Sequence, residues 1–230
     1  MILKQVLSSV WNKSSRNGTY KFEEIVGHDD IKTIFTRALL SKAPIHVLLV
    51  GSPGSAKTMF LTEILRSIKD SYFIVGSNTS KAGLVNQLFE RRPKFLLIDE
   101  LDKMNKVDQT SLLHLMETGI VSETKIKKTR QIELTSWVFA TANSREVIEP
   151  LLSRFLVLKV PEYTFEEFRD VALAKLAKEN IAEELAVTIT EKVWNELGSR
   201  DIRDAIKIGR LAKDSQELSS IISIIKKHRN

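Results

Sequence analysis

The sequence predicts an α/β protein in which a parallel sheet is flanked by helices, carries an inserted β-hairpin and is followed by a small all-helical domain. Three observations predict this architecture. Short continuous apolar runs alternate with helical patterns between residues 46 and 160, as in parallel strands that are buried on both faces. Residues 120–134 alternate apolar and polar positions, which is typical of a hairpin. Beyond Pro161 only helical periodicity remains.

The individual elements follow from the same patterns. Five short apolar runs predict strands, one from His46 and the others at Tyr72–Val75, Phe95–Ile98, Trp137–Ala140 and Phe155–Val160. Helical spacing predicts helices near Asp29–Leu40, Lys57–Lys69, Leu84–Arg91 and Lys106–Thr118. Four more are expected near Phe165–Glu179, Glu183–Glu196, Arg200–Ala212 and Ser215–Lys227. Ser199 is expected to cap the third of these, because serine is a preferred N-cap residue.

The composition indicates an ordinary globular chain of 230 residues, 43% hydrophobic and 28% charged. We expect residues 1–20 to form a helix and linker, residues 21–160 the α/β domain and residues 161–230 the helical domain. No apolar run approaches the ~18 residues of a membrane helix, so no membrane partner is expected. The absence of cysteine excludes disulfides and thiolate chemistry, and fits a cytoplasmic location.

The basic charge belongs to the two ends of the chain. Of the net charge of +6, residues 1–21 carry +4 and residues 226–230 carry +3, which leaves −1 for residues 22–225. The overall charge is therefore weak evidence for a nucleic-acid-binding core.

The stretch HVLLVGSPGSAKT, from His46 to Thr58, has the order strand, flexible loop, helix start that a phosphate-binding loop requires. Lys57 would reach the terminal phosphates, and the Thr58 hydroxyl would hold Mg²⁺. Ala56 stands where a third glycine normally precedes the lysine, and we expect it to adopt a right-handed helical conformation. The predicted phosphate-binding residues are Gly51, Ser52, Pro53, Gly54, Ser55, Ala56, Lys57 and Thr58.

Two adjacent carboxylates, Asp99 and Glu100, follow the strand predicted at Phe95–Ile98. The carboxyl ends of parallel strands form the edge at which open α/β sheets bind ligands. Asp99 can complete the Mg²⁺ shell through water, and Glu100 can orient and polarise an attacking water. The alternative is that this pair simply caps the element that follows.

From Phe22 to about Lys213 the chain resembles the AAA+ ATPase superfamily, through an ordered set of motifs. FEEIVGHDD resembles the opening motif, in which Ile25, Val26 and Gly27 would contact the adenine of ATP. GSPGSAKT and LLIDE resemble the two nucleotide motifs. The resemblance implies that Asn143 helps to place the lytic water. It also implies that Arg154, in EPLLSRF, is an arginine finger offered to the γ-phosphate in an adjacent subunit.

The segment GSRDIRDAI resembles the helix that bears a second nucleotide-sensing arginine. Two registers are possible, with either Arg200 or Arg203 as the sensor, and the first is favoured. A basic stripe that is merely a solvated helix surface is the alternative.

The hairpin resembles that of the branch containing minichromosome-maintenance helicases, the branch-migration motor RuvB and MoxR chaperones. In such rings the hairpin faces the channel or a partner, and its basic residues suit a phosphate backbone. These residues are Lys125, Lys127, Lys128 and Arg130.

Two functions remain open. One is a DNA helicase or branch-migration motor acting as a homo-oligomeric, hexameric ring, and the other is a MoxR-like remodeller acting on a protein partner. Both imply ATP and Mg²⁺ as cofactors.

Overall fold

The structure, a computed structural model, describes Phe22, residues 25–125 and residues 128–228. The helix and linker predicted for residues 1–20 lie outside these described residues. Among the helices of the described residues, none is long and apolar enough to cross a membrane.

The chain divides into two compact units. Of the described residues, the first comprises those up to Gly51 together with those of Ala56–Val160. The second comprises Ser52–Ser55 together with the residues from Pro161 onward. The sheet and its covering helices belong to the first unit, and the second is helical apart from the short loop segment.

A five-stranded parallel sheet forms the centre of the first unit, so the predicted fold class is confirmed. The strands of this unit are β1 (His46–Val50), β2 (Ser71–Val75), β3 (Phe95–Asp99), β4 (Ile120–Lys125), β5 (Lys128–Glu133), β6 (Trp137–Ala142) and β7 (Phe155–Lys159). The sheet has the order β2-β3-β6-β1-β7, and β4 and β5 form the separate, predicted hairpin. β6 runs past its predicted end because Thr141 and Ala142 pair with Leu49 and Val50 of β1.

Helices cover both faces of the sheet. They are α1 (Asp29–Leu39), α2 (Lys57–Ser67), α3 (Lys81–Arg91), α4 (Lys106–Thr118) and α5 (Glu149–Leu152). Successive strand residues point to opposite faces. Leu49 therefore packs in one cluster with Phe35 of α1 and Phe60 of α2, whereas Leu48 packs in the other with Leu88 of α3 and Leu112 of α4. Burying a side chain of this size contributes about 1.5–3 kcal/mol, so the two clusters hold the strands in register.

Four helices make up most of the second unit: α6 (Phe165–Lys178), α7 (Glu183–Asn195), α8 (Ile202–Leu211) and α9 (Ser215–His228). α6 begins with a capping box between Thr164 and Glu167, which satisfies two N–H groups of its first turn. A Cβ built on Gly209 of α8 would lie 2.6 Å from the side chains of both Leu176 and Ile181. Glycine at this position is what allows α8 to approach these two side chains so closely.

The prediction that Ser199 caps the third helix of this unit is wrong. α8 begins at Ile202, and its N-cap is Asp201, whose Oδ1 accepts the N–H of Arg203 at 2.9 Å. The Ser199 hydroxyl donates instead to Oδ2 of Asp204 at 2.7 Å. A carboxylate also interacts favourably with the positive end of the helix dipole, which gives Asp201 an advantage over a neutral hydroxyl.

His46 joins the start of β1 to two neighbouring elements as a buried, neutral ring. The N–H of Val138 in β6 donates to Nδ1 at 3.1 Å, and Nε2 lies 3.4 Å from the carbonyl oxygen of Met116 in α4. A neutral imidazole with its proton on Nε2 satisfies both partners. Burial lowers the pKa of His46, and this effect outweighs the hydrogen bond to Met116, which raises it.

We expect the free energy of unfolding to decrease as the pH falls below 6.5, the ordinary pKa of histidine. Below that pH the unfolded chain binds a proton that folded His46 excludes until its own lowered pKa is reached. Urea unfolding at about pH 8 and about pH 5 measures the effect. His46→Gln is the control, because it retains hydrogen-bonding capacity and does not titrate, and it should show a smaller decrease. Equal decreases in the two proteins would assign the pH dependence to other groups.

Candidate functional site

The predicted phosphate-binding loop connects the end of β1 to the start of α2. The N–H of Gly51 donates to the carbonyl oxygen of Ala142 at 3.2 Å, which ties the start of the loop to the end of β6. Gly54 has a φ of +84°, a conformation that glycine adopts without steric cost. Lys57 is buried, and its Nζ donates to the carbonyl oxygen of Gly51 at 2.8 Å. The ammonium group is thereby held against the loop.

The expected right-handed conformation of Ala56 is wrong. Ala56 has a φ of 62° and a ψ of 4°, in the left-handed region. This conformation costs an L-residue about 1–2 kcal/mol, whereas glycine adopts it freely. The chain needs a positive φ here to turn from the loop into α2, where the N–H of Met59 donates to the Ala56 carbonyl oxygen at 2.9 Å. That need explains why glycine is the usual residue before the lysine.

The loop segment that belongs to the second unit is braced by hydroxyl groups. The Ser52 hydroxyl donates to Oε1 of Glu162 at 2.8 Å, and the Ser55 hydroxyl donates to the Ser52 carbonyl oxygen at 2.8 Å. Pro53, between them, is exposed. These contacts fix the course of the backbone whose N–H groups would receive phosphate oxygens.

The side chains of Thr58 and Asp99 meet, although they are 41 positions apart in the sequence. The Thr58 hydroxyl lies 3.0 and 3.1 Å from the two carboxylate oxygens of Asp99. Hydroxyl and carboxylate oxygens are the ligands that Mg²⁺ prefers, so this pair fits a magnesium ion. Within the described residues, no group of three or more His, Asp or Glu side chains is placed to hold a metal. The remaining ligands would therefore be phosphate and water oxygens.

Glu100, which follows Asp99, has a backbone fixed by two neighbours that the sequence did not reveal. Its φ of 55° lies in the left-handed region. Its N–H donates to Oγ1 of Thr141 in β6 at 3.1 Å. On the other side lies Gly76, the residue that follows β2. It packs so closely against Glu100 that a Cβ on it would overlap the Glu100 carbonyl oxygen. The direction of the Glu100 side chain thus depends on both adjacent strands.

Asn143 lies directly after β6 and is exposed. The next residue, Ser144, donates its hydroxyl to Oδ2 of Asp102 at 3.2 Å. The Asp102 side chain is completely buried, and its Oδ1 has no hydrogen-bond partner among the residues that the structure describes. Asp102 therefore links the segment after β3 to the segment that carries Asn143.

A second buried polar side chain, Gln109, contacts the start of α5, the helix that precedes Arg154. Gln109 is fully buried, and its Nε2 donates to the carbonyl oxygen of Met104 at 2.9 Å. Its Oε1 accepts the N–H of Ile148, the N-cap of α5, at 2.9 Å. α5 ends just before Arg154. A buried glutamine gives no recognisable sequence motif, so this link could not be predicted.

Arg154 is paired within its own unit. Its Nη2 lies 2.8 Å from Oε1 of Glu117 in α4, and its Nη1 donates to the carbonyl oxygen of Pro150 at 2.6 Å. The side chain is 26% exposed. These partners lie on α4 and α5, and the structure does not bring Arg154 to the Thr58–Asp99 pair through any of them.

The two candidate sensing arginines have different surroundings. The Arg200 guanidinium stacks on the Trp194 ring at 3.4 Å from its centroid and donates to the Trp194 carbonyl oxygen. Arg203 forms a bidentate pair with Asp201, in which Nε donates to Oδ1 at 2.9 Å and Nη2 donates to Oδ2 at 2.6 Å. A Cβ on Gly54 would lie 2.9 Å from Cγ of Asp201. Arg203 therefore belongs to the ion pair that lies against the loop.

The carboxylate of that pair is held in its charged form. Burial raises the pKa of Asp201, but the hydrogen bonds from Arg203 outweigh this effect, so the pKa lies below its ordinary value. The two charges therefore compensate each other beside Gly54.

The predicted adenine-contacting segment precedes α1. Ile25 is buried in the cluster that contains Phe22 and Phe35, and Gly27 has a φ of 70°. Val26, between them, is half-buried. The segment is thus anchored by the Ile25 side chain, and Gly27 allows its backbone to change direction before α1.

Of the four basic hairpin residues, Arg130 is described in full. Its Nε donates to Oε2 of Glu123 at 2.7 Å, its guanidinium lies 4.2 Å from the centroid of the Phe89 ring, and it also donates to Asn86. Arg130 therefore anchors the hairpin on α3. The described part of the structure does not include Lys127 or the side chains of Lys125 and Lys128.

Residues 47–161 match the family model described as AAA, the ATPase family associated with various cellular activities. The chain is 30% identical to the DNA replication licensing factor mcm2 of Schizosaccharomyces pombe over 192 residues, which cover 65% of this chain and 23% of that protein. It is 31% identical to Mcm2 of Drosophila melanogaster over 194 residues, covering 66% and 22% respectively. The chain thus matches less than a quarter of the length of these relatives.

Among solved structures, the fold is similar to the RuvB Holliday junction branch migration motor of Thermotoga maritima, with a TM-score of 0.63 and 20% sequence identity. The match covers 86% of this chain and 70% of that one. A variant of the same protein matches with a TM-score of 0.67, 19% identity and coverage of 90% and 73%. At this level of identity the likeness shows a shared fold.

Gly76→Ala is expected to destabilise the protein by about 1–3 kcal/mol, because a Cβ there overlaps the backbone of Glu100. Urea unfolding measures the change. The matched control is Gly83→Ala, where a Cβ meets only the Ser80 hydroxyl oxygen at 3.3 Å. That variant should change the free energy of unfolding by no more than about 1 kcal/mol, because only the Ser80 side chain has to shift and alanine has the higher helix propensity. Wild-type stability in Gly76→Ala would contradict the tight approach to Glu100.

Proposed function

The chain belongs to the AAA family of ATPases, and from this premise we propose that it binds and hydrolyses ATP at the loop of Gly51–Thr58. The observation that carries the proposal is the convergence of the Thr58 hydroxyl and the Asp99 carboxylate at 3.0 and 3.1 Å, directly beside Glu100. Mg²⁺ bound by this pair would neutralise phosphate charge as the bond to the γ-phosphate breaks.

The residues around this pair take separate roles. The Lys57 ammonium, now held by the Gly51 carbonyl, binds the terminal phosphates of ATP. The Glu100 carboxylate orients and polarises the attacking water. Asn143, exposed at the end of the neighbouring strand, contacts the same water. All three come from the carboxyl edge of the sheet, where ligands bind in this class of fold.

Arg154 acts on the ATP of a neighbouring copy in a ring, which we propose to be hexameric. Its guanidinium would stabilise the charge that develops on the γ-phosphate. Two features support this role: the side chain is 26% exposed, and its partner Glu117 lies on α4 of the same chain, 51% exposed. A partner at the surface can be exchanged for a phosphate when a second copy docks.

Mixing two inactive variants tests the shared site. Lys57→Ala lacks a phosphate ligand, and Arg154→Ala lacks the finger, so each alone should lose about 10³-fold or more in turnover. In a mixed ring, an intact site of the Arg154→Ala copy receives a finger from the Lys57→Ala copy. Equal mixing should restore roughly a quarter of wild-type ATPase activity, because one interface in four has this arrangement.

The double variant Lys57→Ala/Arg154→Ala is the control for this mixing experiment, because it should rescue neither single variant. Full turnover by Arg154→Ala alone would contradict the role of Arg154, and absence of ATPase activity in the wild-type protein would contradict the proposed function itself.

We further propose that the ring acts on DNA. The relatives are named as DNA replication licensing factors, and the structural neighbour as a branch migration motor. Lys125, Lys127 and Lys128 fall within four consecutive positions of the sequence, and their positive charge suits a phosphate backbone. Arg130 is left out of the proposed contacts, because its guanidinium pairs with Glu123 and lies over the Phe89 ring.

A protein partner is the second candidate, as in MoxR-like remodellers. The observation that favours it is the engagement of Arg130, which leaves the hairpin with fewer cations for a phosphate backbone. Under this alternative the ATPase rate is indifferent to DNA.

The two candidates differ in how DNA affects steady-state ATPase activity. A DNA motor should be stimulated by single-stranded, duplex or four-way DNA, and the stimulation should fall steeply with added salt. Lys127→Ala/Lys128→Ala should lose the stimulation and keep the basal rate. Lys42→Ala, an exposed lysine outside the hairpin, should keep both. A flat response to all three DNAs would favour the protein remodeller.

A further inference from the structure

Thr141 occupies the point at which main-chain pairing between β3 and β6 ends. The recorded register of the two strands runs from Phe95 opposite Trp137 to Ile98 opposite Ala140. One step further along, Thr141 stands next to Asp99. From this point onward the two strands are connected by the Thr141 side chain and no longer by main-chain pairing.

The Thr141 hydroxyl makes two hydrogen bonds to adjacent residues of β3 and its extension. It donates to Oδ1 of Asp99 at 2.5 Å and accepts the N–H of Glu100 at 3.1 Å. A hydroxyl has one proton to donate, so the oxygen is left to accept the N–H, and the two bonds are mutually consistent. Thr141 is 2% exposed, so water does not replace these bonds.

The same carboxylate oxygen also receives the hydroxyl of Thr58 at 3.0 Å. Asp99 is therefore held between the start of α2 and β6. Glu100 adopts a left-handed conformation, with a φ of 55°, that costs an ordinary residue about 1–3 kcal/mol. Such a conformation persists only where neighbours impose it, and the bond from its N–H to Thr141 is one of the constraints.

We propose that Thr141 is a positioning residue for ATP hydrolysis. One hydroxyl sets the side chain of Asp99 and the backbone of Glu100, and so fixes the distance between the metal-binding carboxylate and the carboxylate that polarises water. The inference rests on the proposed ATPase function. It goes beyond that function by adding a residue that touches neither the nucleotide nor the water.

Thr141→Val tests the inference, because valine has nearly the same shape and lacks the hydroxyl. Turnover should fall by about tenfold to a hundredfold, the range expected when a catalytic group is misplaced by up to about 1 Å. The Kd of a fluorescent ATP analogue, measured without Mg²⁺, should stay within about twofold, because Lys57 and the loop are untouched. Thr141→Ser, which restores the hydroxyl, should recover most of the turnover.

Thr190→Val is the matched control. Thr190 is also fully buried, and its hydroxyl donates to the carbonyl oxygen of Ala186 within α7 of the second unit. That variant measures the effect of removing a buried threonine hydroxyl elsewhere, and it should keep wild-type turnover. Should Thr141→Val not fold, Thr141→Ala removes the same hydroxyl without adding a methyl group, and the same result is expected.

Wild-type turnover in either hydroxyl-free variant would overturn the inference, as would a loss in Thr141→Ser as large as that in Thr141→Val. A rise in KM with unchanged turnover would assign Thr141 to nucleotide binding and would also overturn it. An inactive wild-type protein would instead contradict the proposed ATPase function, so the two failures are distinguishable.

Discussion

The parallel register of three neighbouring strands is the constraint on which the candidate site depends. β1, β6 and β3 lie side by side, with Leu49 opposite Thr141 and Ile98 opposite Ala140. The chain leaves each strand at the same edge, so the loop, the Asp99–Glu100 pair and Asn143 each follow a strand at that edge, where the Thr58 hydroxyl meets the Asp99 carboxylate. A slip of one residue in β3 would move every side chain to the opposite face. The two apolar clusters oppose such a slip, because each would receive side chains that now belong to the other.

Much of this edge could be predicted from the sequence. Continuous apolar runs identify parallel strands, and the residues that follow each run must lie at the carboxyl edge. The lateral order of the strands could not be predicted in the same way. β6 follows the hairpin in the chain but inserts between β1 and β3 in space. Because of this insertion Thr141 becomes the neighbour of Asp99, and no pattern in the sequence marks it.

Backbone conformation was the other property that the sequence left open. Alanine has a strong preference for right-handed helix, and this local preference led to the wrong expectation for Ala56, where the turn into α2 requires a positive φ. Similarly, Ser199 has a side chain suited to an N-cap. Asp201, two residues later, can also accept a backbone N–H and carries a charge as well, and it is the N-cap of α8. Gly76 gives no motif at all, since its role is to leave room for Glu100.

The arginines show how partners in the isolated chain bear on function. An exposed ion pair contributes about 0–1 kcal/mol, so the pairing of Arg154 with Glu117, which is 51% exposed, accounts for little of what holds Arg154 in place. Its guanidinium also donates to the carbonyl oxygen of Pro150 and to the hydroxyl of Ser153. Arg130 pairs with Glu123, which is only 13% exposed, and it also donates to Asn86 and stacks on the Phe89 ring. In the proposed ring Arg154 would act on the ATP of a second copy, whereas Arg130 fixes the hairpin on α3. A movement of α3 would therefore carry the hairpin with it.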